Sequence, residues 1–185
     1  MKIVMIILAI ISPILAEANG NADALYEQHL EKTKVVFERE LSEGRSGNEG
    51  AESFVRVLYW PNMNMGFGHV ALEIFQGKLN PTPTRYLSYA MGNNLKVDLQ
   101  KHGILPEIIT LPFISDQTMQ NFISWFDHSS YSTARGNYGS DYALITHNCA
   151  HAIFYSLREL SYDIWSSCRL CTPKKIRSMS KELAI

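Results

Sequence analysis

The chain has 185 residues, 46% of them apolar and 19% charged, and its 17 basic and 18 acidic side chains leave a net charge of -1. Those proportions exclude collagen-like, low-complexity and wholly disordered chains. The near-neutral balance also excludes a dedicated nucleic-acid binder, because phosphate affinity needs clustered Lys and Arg.

The N-terminal MKIVMIILAIISPILAEA has a short positive start at Lys2, an apolar run from Ile3 to Leu15, and a small-x-small end at Ala16-Glu17-Ala18. This is the pattern of a secretory signal peptide cleaved after Ala18. The run is shorter than the roughly 20 residues that cross a bilayer. No second stretch of that length follows, so no stable membrane span is expected after cleavage. The expected destination is secreted or periplasmic, where thiols oxidise. Three parts are expected: signal peptide 1–18, an N-terminal helix and linker over 19–50, and a main domain with a C-terminal helix over 51–185.

Leu25, Leu30, Val35, Val36, Phe37 and Leu41 recur at helical spacing, which predicts an amphipathic helix over 22–42, an arm against the main body. The stretch SEGRSGNEG over 42–50 has linker composition. Strand-like segments follow at Ser53–Trp60, His69–Phe75, Arg85–Ala90, Leu95–Leu99 and Glu107–Leu111, punctuated by Pro and Gly. Asp116–Asp127 places Met119, Phe122, Ile123 and Phe126 on one helical face behind a Ser115 cap. Tyr142–Thr146 reads as a short strand, Asn148 precedes the helical stripe of CAHAIFYSLREL, and Thr172-Pro173 opens a basic last helix. The sum is an α+β fold, a largely antiparallel sheet packed against helices.

With Asn148 as cap, Cys149 takes the first helical position, at the positive end of the helix dipole and among unsatisfied backbone N–H groups. Both favour thiolate over thiol, and the same N–H groups suit a developing oxyanion. A nucleophilic cysteine also needs a base. His69 opens a strand after Gly68, and alternation puts His69, Ala71 and Glu73 on an outward face while Val70, Leu72 and Ile74 face the core. Small Gly68 and Ala71 leave room beside His69 for substrate.

Gly68-His69-Val-Ala-Leu-Glu-Ile74 and Tyr142-Ala-Leu-Ile-Thr-His-Asn-Cys149 together resemble the circularly permuted papain-fold cysteine hydrolases of the NlpC/P60 superfamily, in which the histidine strand precedes the cysteine helix. The resemblance covers roughly 53–160. It implies Cys149 as nucleophile, His69 as general base and a third polar residue on the strand after His69. Arg85–Ala90 offers Ser88, Tyr86 or Tyr89 there, with no His, Asp, Asn or Gln, which departs from the family pattern. Glu73 stands about 13 Å along the strand from His69, and a dyad without a strong third member is a further option. Of these the resemblance implies Ser88 as the third member.

Tyr142, Asn148, His151 and Met65 are the expected substrate-binding residues. Met65 belongs to an Asn/Gly-rich loop at the mouth of the cleft, and His147 and His151 are expected at its rim. His147-x-Cys149-x-His151 also has ligand types that zinc accepts, but these do not converge across a strand-to-helix junction, so no metal or cofactor is expected. Cys168-Arg-Leu-Cys171 reads as a local structural disulfide rather than a redox motif, which belongs in a βαβ unit. The expected activity is that of an exported, monomeric cysteine hydrolase acting on an amide or similar acyl bond; the resemblance implies peptide, isopeptide or peptidoglycan-like substrates, with lipid acyl groups also handled by related permuted members. The alternative is a non-catalytic secreted binding or effector module on the same fold. N-terminal sequencing of exported protein should begin at Asn19; a start at Met1 would contradict the signal peptide.

Overall fold

A computed structural model describes residues 21–39, 51–61, 68–77, 82–89, 94–129, 148–164, 167–168 and 170–184. The signal peptide, the linker, Met65, Tyr142 and His147 lie outside these residues.

The described chain is α+β, with five helices and one five-stranded antiparallel sheet. Helix α1 covers residues 21–39. Strands β1 (Ala51–Trp60), β2 (His69–Phe75) and β3 (Arg85–Leu87) precede α2 (Leu95–His102). After β4 (Glu107–Thr110) and the short β5 (Ile114–Ser115) come α3 (Asp116–His128), α4 (Cys149–Glu159) and α5 (Pro173–Leu183). The sheet order is β3-β2-β1-β4, and β5 extends the pairing of β1 at its start. In the β1–β2 register Trp60 faces His69 and Arg56 faces Glu73.

Period-two alternation sends Val55, Val57, Val70, Leu72, Ile74, Leu87 and Ile109 to one face of the sheet, where α3, α4 and α5 close the main core. Met119, Phe122 and Phe126 supply the α3 stripe, as their spacing predicts, and Ser115 Oγ caps that helix by accepting from the Thr118 N–H.

The other face is not open. Every residue of β2 is buried, so the face expected to look outward at His69, Ala71 and Glu73 is covered. Leu58, Trp60 and Ala71 pack there against Leu95 and Leu99 of α2 and Leu25 and Tyr26 of α1. Farther along, Phe37 of α1 joins Phe54 and Phe75, whose rings stack at 4.4 Å. The helix expected as an arm thus forms a third layer, burying Ala22, His29, Thr33 and Phe37 at helical spacing. His29 Nε2 meets Glu73 Oε1 at 2.6 Å with both side chains fully buried.

A second departure is the segment Leu95–Leu99, which reads as a weak strand in sequence and is the first part of helix α2. The Asn94 side chain accepts from the Lys96 N–H. Gly103 closes the helix with φ 66°, a left-handed conformation that glycine adopts without a Cβ penalty, and its N–H reaches the Leu99 carbonyl. Two caps and the i, i+4 pair Leu95 and Leu99 outweigh the strand-like alternation of five residues. No helix among the described residues is long and apolar enough to cross a membrane.

Replacing His29 with Ala leaves the buried Glu73 carboxylate without its partner and should cost about 3 kcal/mol. His29→Gln, which keeps a donor, should recover part of that loss. Urea unfolding checks both; an unchanged midpoint for His29→Ala would contradict the packed α1 layer.

Candidate active site

Three local structures build the site at the N-terminal end of β2. Gly68, at φ 70°, turns the chain into the strand so that His69 takes its first position. Asn148 Oδ1 accepts from the His151 N–H, and the Asn148 carbonyl accepts from the Ala152 N–H. Those bonds start α4 with Cys149 as its first residue. The first-turn donors of Cys149 and Ala150 are left outside the intrahelical ladder. Helix α2, held by its two caps, contributes the third part.

Cys149 is 6% exposed and His69 4% exposed, and the sulfur and the imidazole are hydrogen-bonded to each other. The backbone N–H groups of Val70 and Ala150 also reach the sulfur. Burial favours the neutral thiol, yet the His69 charge, its hydrogen bond and those two amides outweigh burial and hold the Cys149 pKa below its ordinary value of 9.0. Burial likewise pulls His69 down, but the Cys149 charge and the Asp98 carboxylate lift it from 6.5 to about 10. The favoured state is a thiolate–imidazolium pair. Cys149 is the free cysteine among the described residues.

The other side of the imidazole is held as well. His69 Nε2 lies 3.0 Å from Ser88 Oγ and 3.2 Å from Asp98 Oδ2, both fully buried. That leaves Nδ1 for the sulfur. Tyr86 donates its hydroxyl to the same Asp98 oxygen, and burial first, then the Asp98 charge, pushes its phenol pKa well above 10. A phenol kept protonated is a steady donor, which fixes the carboxylate towards His69.

Of the expected residues, Cys149, His69 and Ser88 come together. Sequence reasoning missed Asp98, the carboxylate that meets the imidazole among the described residues. Its signal was the Asn94 cap four positions ahead of it and Gly103 behind, which define a helix where a strand was expected. Tyr86 reaches Asp98 rather than His69, Tyr89 joins the main core, and Glu73 is engaged by His29. His151, expected at the rim, is buried at 4% exposure with Nδ1 3.1 Å from Asn148 Oδ1. A helical residue two positions after the capped cysteine turns into the protein. Asn148, expected to bind substrate, is also buried, and the far end of its side chain donates to the Cys171 carbonyl at 3.2 Å. Cys171 forms a disulfide with Cys168, so the cap of the cysteine helix is tied to a cross-linked turn. Among the described residues, no three His, Cys, Asp or Glu side chains are arranged to hold a metal.

No protein-family model matches the chain, no curated protein matches it, and no solved structure matches it.

The charge pair fixes the sign of its contribution to stability. His69, raised from 6.5 to about 10, contributes fully below pH 6.5 and loses that contribution as pH rises through 10. Cys149, lowered from 9.0, contributes fully above that value and loses it as pH falls through its folded pKa. The extra stability of wild type over Cys149→Ala should therefore decline towards both extremes, as His69 loses its proton near pH 10 and as Cys149 regains its own at low pH. Chemical denaturation across pH checks this, and a pH-independent difference would contradict the charge pair.

Proposed function

We propose that the protein is a thiol hydrolase of permuted papain-like fold, exported from the cell and acting on an amide, peptide or isopeptide bond. The observation that carries this reading is the buried contact of Cys149, at a helix start, with His69, itself held by Asp98 and Ser88.

Each part has a role in acyl transfer. The Cys149 sulfur attacks the carbonyl carbon, and the electron pair of the C=O bond moves onto oxygen. The Cys149 N–H, unused by the helix at the start of α4, is the donor offered to that developing charge. As the tetrahedral intermediate collapses, the bond to the leaving nitrogen breaks and the His69 imidazolium supplies the proton it needs. Neutral His69 then takes a proton from water, whose oxygen attacks the thioester and releases acid and free thiolate. Asp98 stabilises the imidazolium and keeps its ring turned to the sulfur without itself taking the proton, much as a buried carboxylate does beside a serine-protease histidine.

The disulfide and the signal-peptide pattern support an oxidising compartment, periplasmic or extracellular. Resemblance to the superfamily supports peptide, isopeptide or peptidoglycan-like substrates. A second reading, a secreted binding or effector module without catalysis, is favoured by the burial of both reacting groups.

The two readings separate on acylation. Incubated with an activated ester such as a p-nitrophenyl acyl ester, wild-type protein should release one equivalent of nitrophenol in a burst and carry the acyl mass on Cys149. Cys149→Ser should show neither, and His69→Ala should slow the burst by at least about a hundredfold. Asp98→Asn should slow it about tenfold to a hundredfold. Absence of a Cys149 adduct in folded wild-type protein would favour the binding module.

A further inference from the structure

Helix α2 presents a second side chain to His69 besides Asp98. His102 lies four residues on, hence on the same helical face. Its ring centroid is 5.4 Å from that of His69 with planes 16° apart, and 5.2 Å from Trp60 with planes 22° apart. Trp60 and His69 are themselves 5.6 Å apart, so the three rings form one cluster. These separations fall in the range aromatic rings prefer. The cluster is anchored from behind, since Trp60 is fully buried and its Nε1 donates to the Ile104 carbonyl at 3.0 Å, just past the Gly103 cap. His102 Nε2 is buried without a hydrogen-bond partner among the described residues, so no polar contact of that atom explains the placement of the ring.

We propose that His102 is a positioning residue for His69: a neutral ring clamped against Trp60 that fixes the plane of the imidazole and shields its face from water. This rests on the reading of Cys149 and His69 as a charge pair. A hydrogen bond to Ser88 and Asp98 fixes where Nε2 points but leaves the ring free to rock about that axis. The stack removes this freedom, so that the other nitrogen stays on the sulfur. Shielding matters too, because water against the imidazolium would weaken its attraction for the thiolate.

The ring must be neutral to lie against an imidazolium. Burial, and after it the His69 charge, lower the His102 pKa to about 4, with Lys101 acting in the same direction and Asp98 opposing. The groups facing His69 are Cys149 from α4, Ser88 after β3, Asp98 and His102 from α2, and the Trp60 ring from β1. None of these places a second cation against it.

The experiment compares wild type with His102→Phe, His102→Gln and His102→Ala in the full mature chain. The readouts are the pH profile of Cys149 alkylation by iodoacetamide and the His69 ring-proton shifts by NMR. His102→Phe keeps a ring and discards both nitrogens. It should alkylate within about twofold of wild type, with an unchanged acid limb and a retained ring-current shift on His69. His102→Ala and His102→Gln should alkylate about tenfold more slowly at pH 7, with the acid limb displaced upward by about one pH unit. Both should lose the ring-current shift. If Ala and Gln behave as wild type, or if Phe is as slow as Ala, the proposal is overturned. Should wild-type Cys149 itself alkylate like an ordinary thiol, the hydrolase reading fails. The His69 shift still decides on the stack: unchanged in His102→Ala, it overturns positioning; lost in Ala and kept in Phe, it supports positioning.

Discussion

Two groups that burial alone would neutralise, a thiol and an imidazole, carry charge at the end of β2 because each compensates the other. Desolvation is the largest influence on both, and it acts against the charged form of each. Their mutual attraction reverses that outcome, and it strengthens as water is excluded. The rest of the molecule follows from keeping these two atoms together in a dry place. Asn148 and the disulfide turn hold the start of α4, Gly68 places His69 at the first position of its strand, and α1 and α2 close the face on which the imidazole lies.

That face explains why a protein with one helical layer behind its sheet carries a second layer in front. An imidazolium beside water would lose most of its hold on the thiolate. Helix α2 supplies the carboxylate beside it and the His102 ring stacked on it, and β1 supplies the Trp60 ring. Farther along the same face, Glu73 and His29 form a second buried polar pair, which joins α1 to the sheet. The buried Arg56, its guanidinium carbon 5.3 and 4.6 Å from the centroids of the Phe54 and Phe75 rings, continues the same layer.

Much of this was legible in the sequence wherever local chemistry is self-sufficient. Ser115, Asn148 and Thr172 cap helices as their side chains predict, because a cap acts on N–H groups two or three residues away. The alternation of His69–Phe75 is equally local. What the sequence hid was long-range. Nothing in the run Leu95–Leu99 says that it packs on Trp60 and Ala71, and its short alternation reads as a strand until both caps are weighed. That single misreading concealed Asp98, and with it the orienting partner of His69. The covered face at Glu73 was hidden for the same reason, since a polar residue alternating with apolar ones reads as solvent-facing unless a partner such as His29 comes from 44 residues away.

The charge on Cys149 is the most direct test of the whole arrangement. The ultraviolet absorbance of the thiolate near 240 nm, followed across pH as the difference between wild type and Cys149→Ala, reports its ionisation. A Cys149 that ionises below the ordinary 9.0, and whose ionisation moves back up towards that value in His69→Ala, is the predicted result. Ionisation near 9 in the folded wild-type protein, unaffected by His69→Ala, would contradict it.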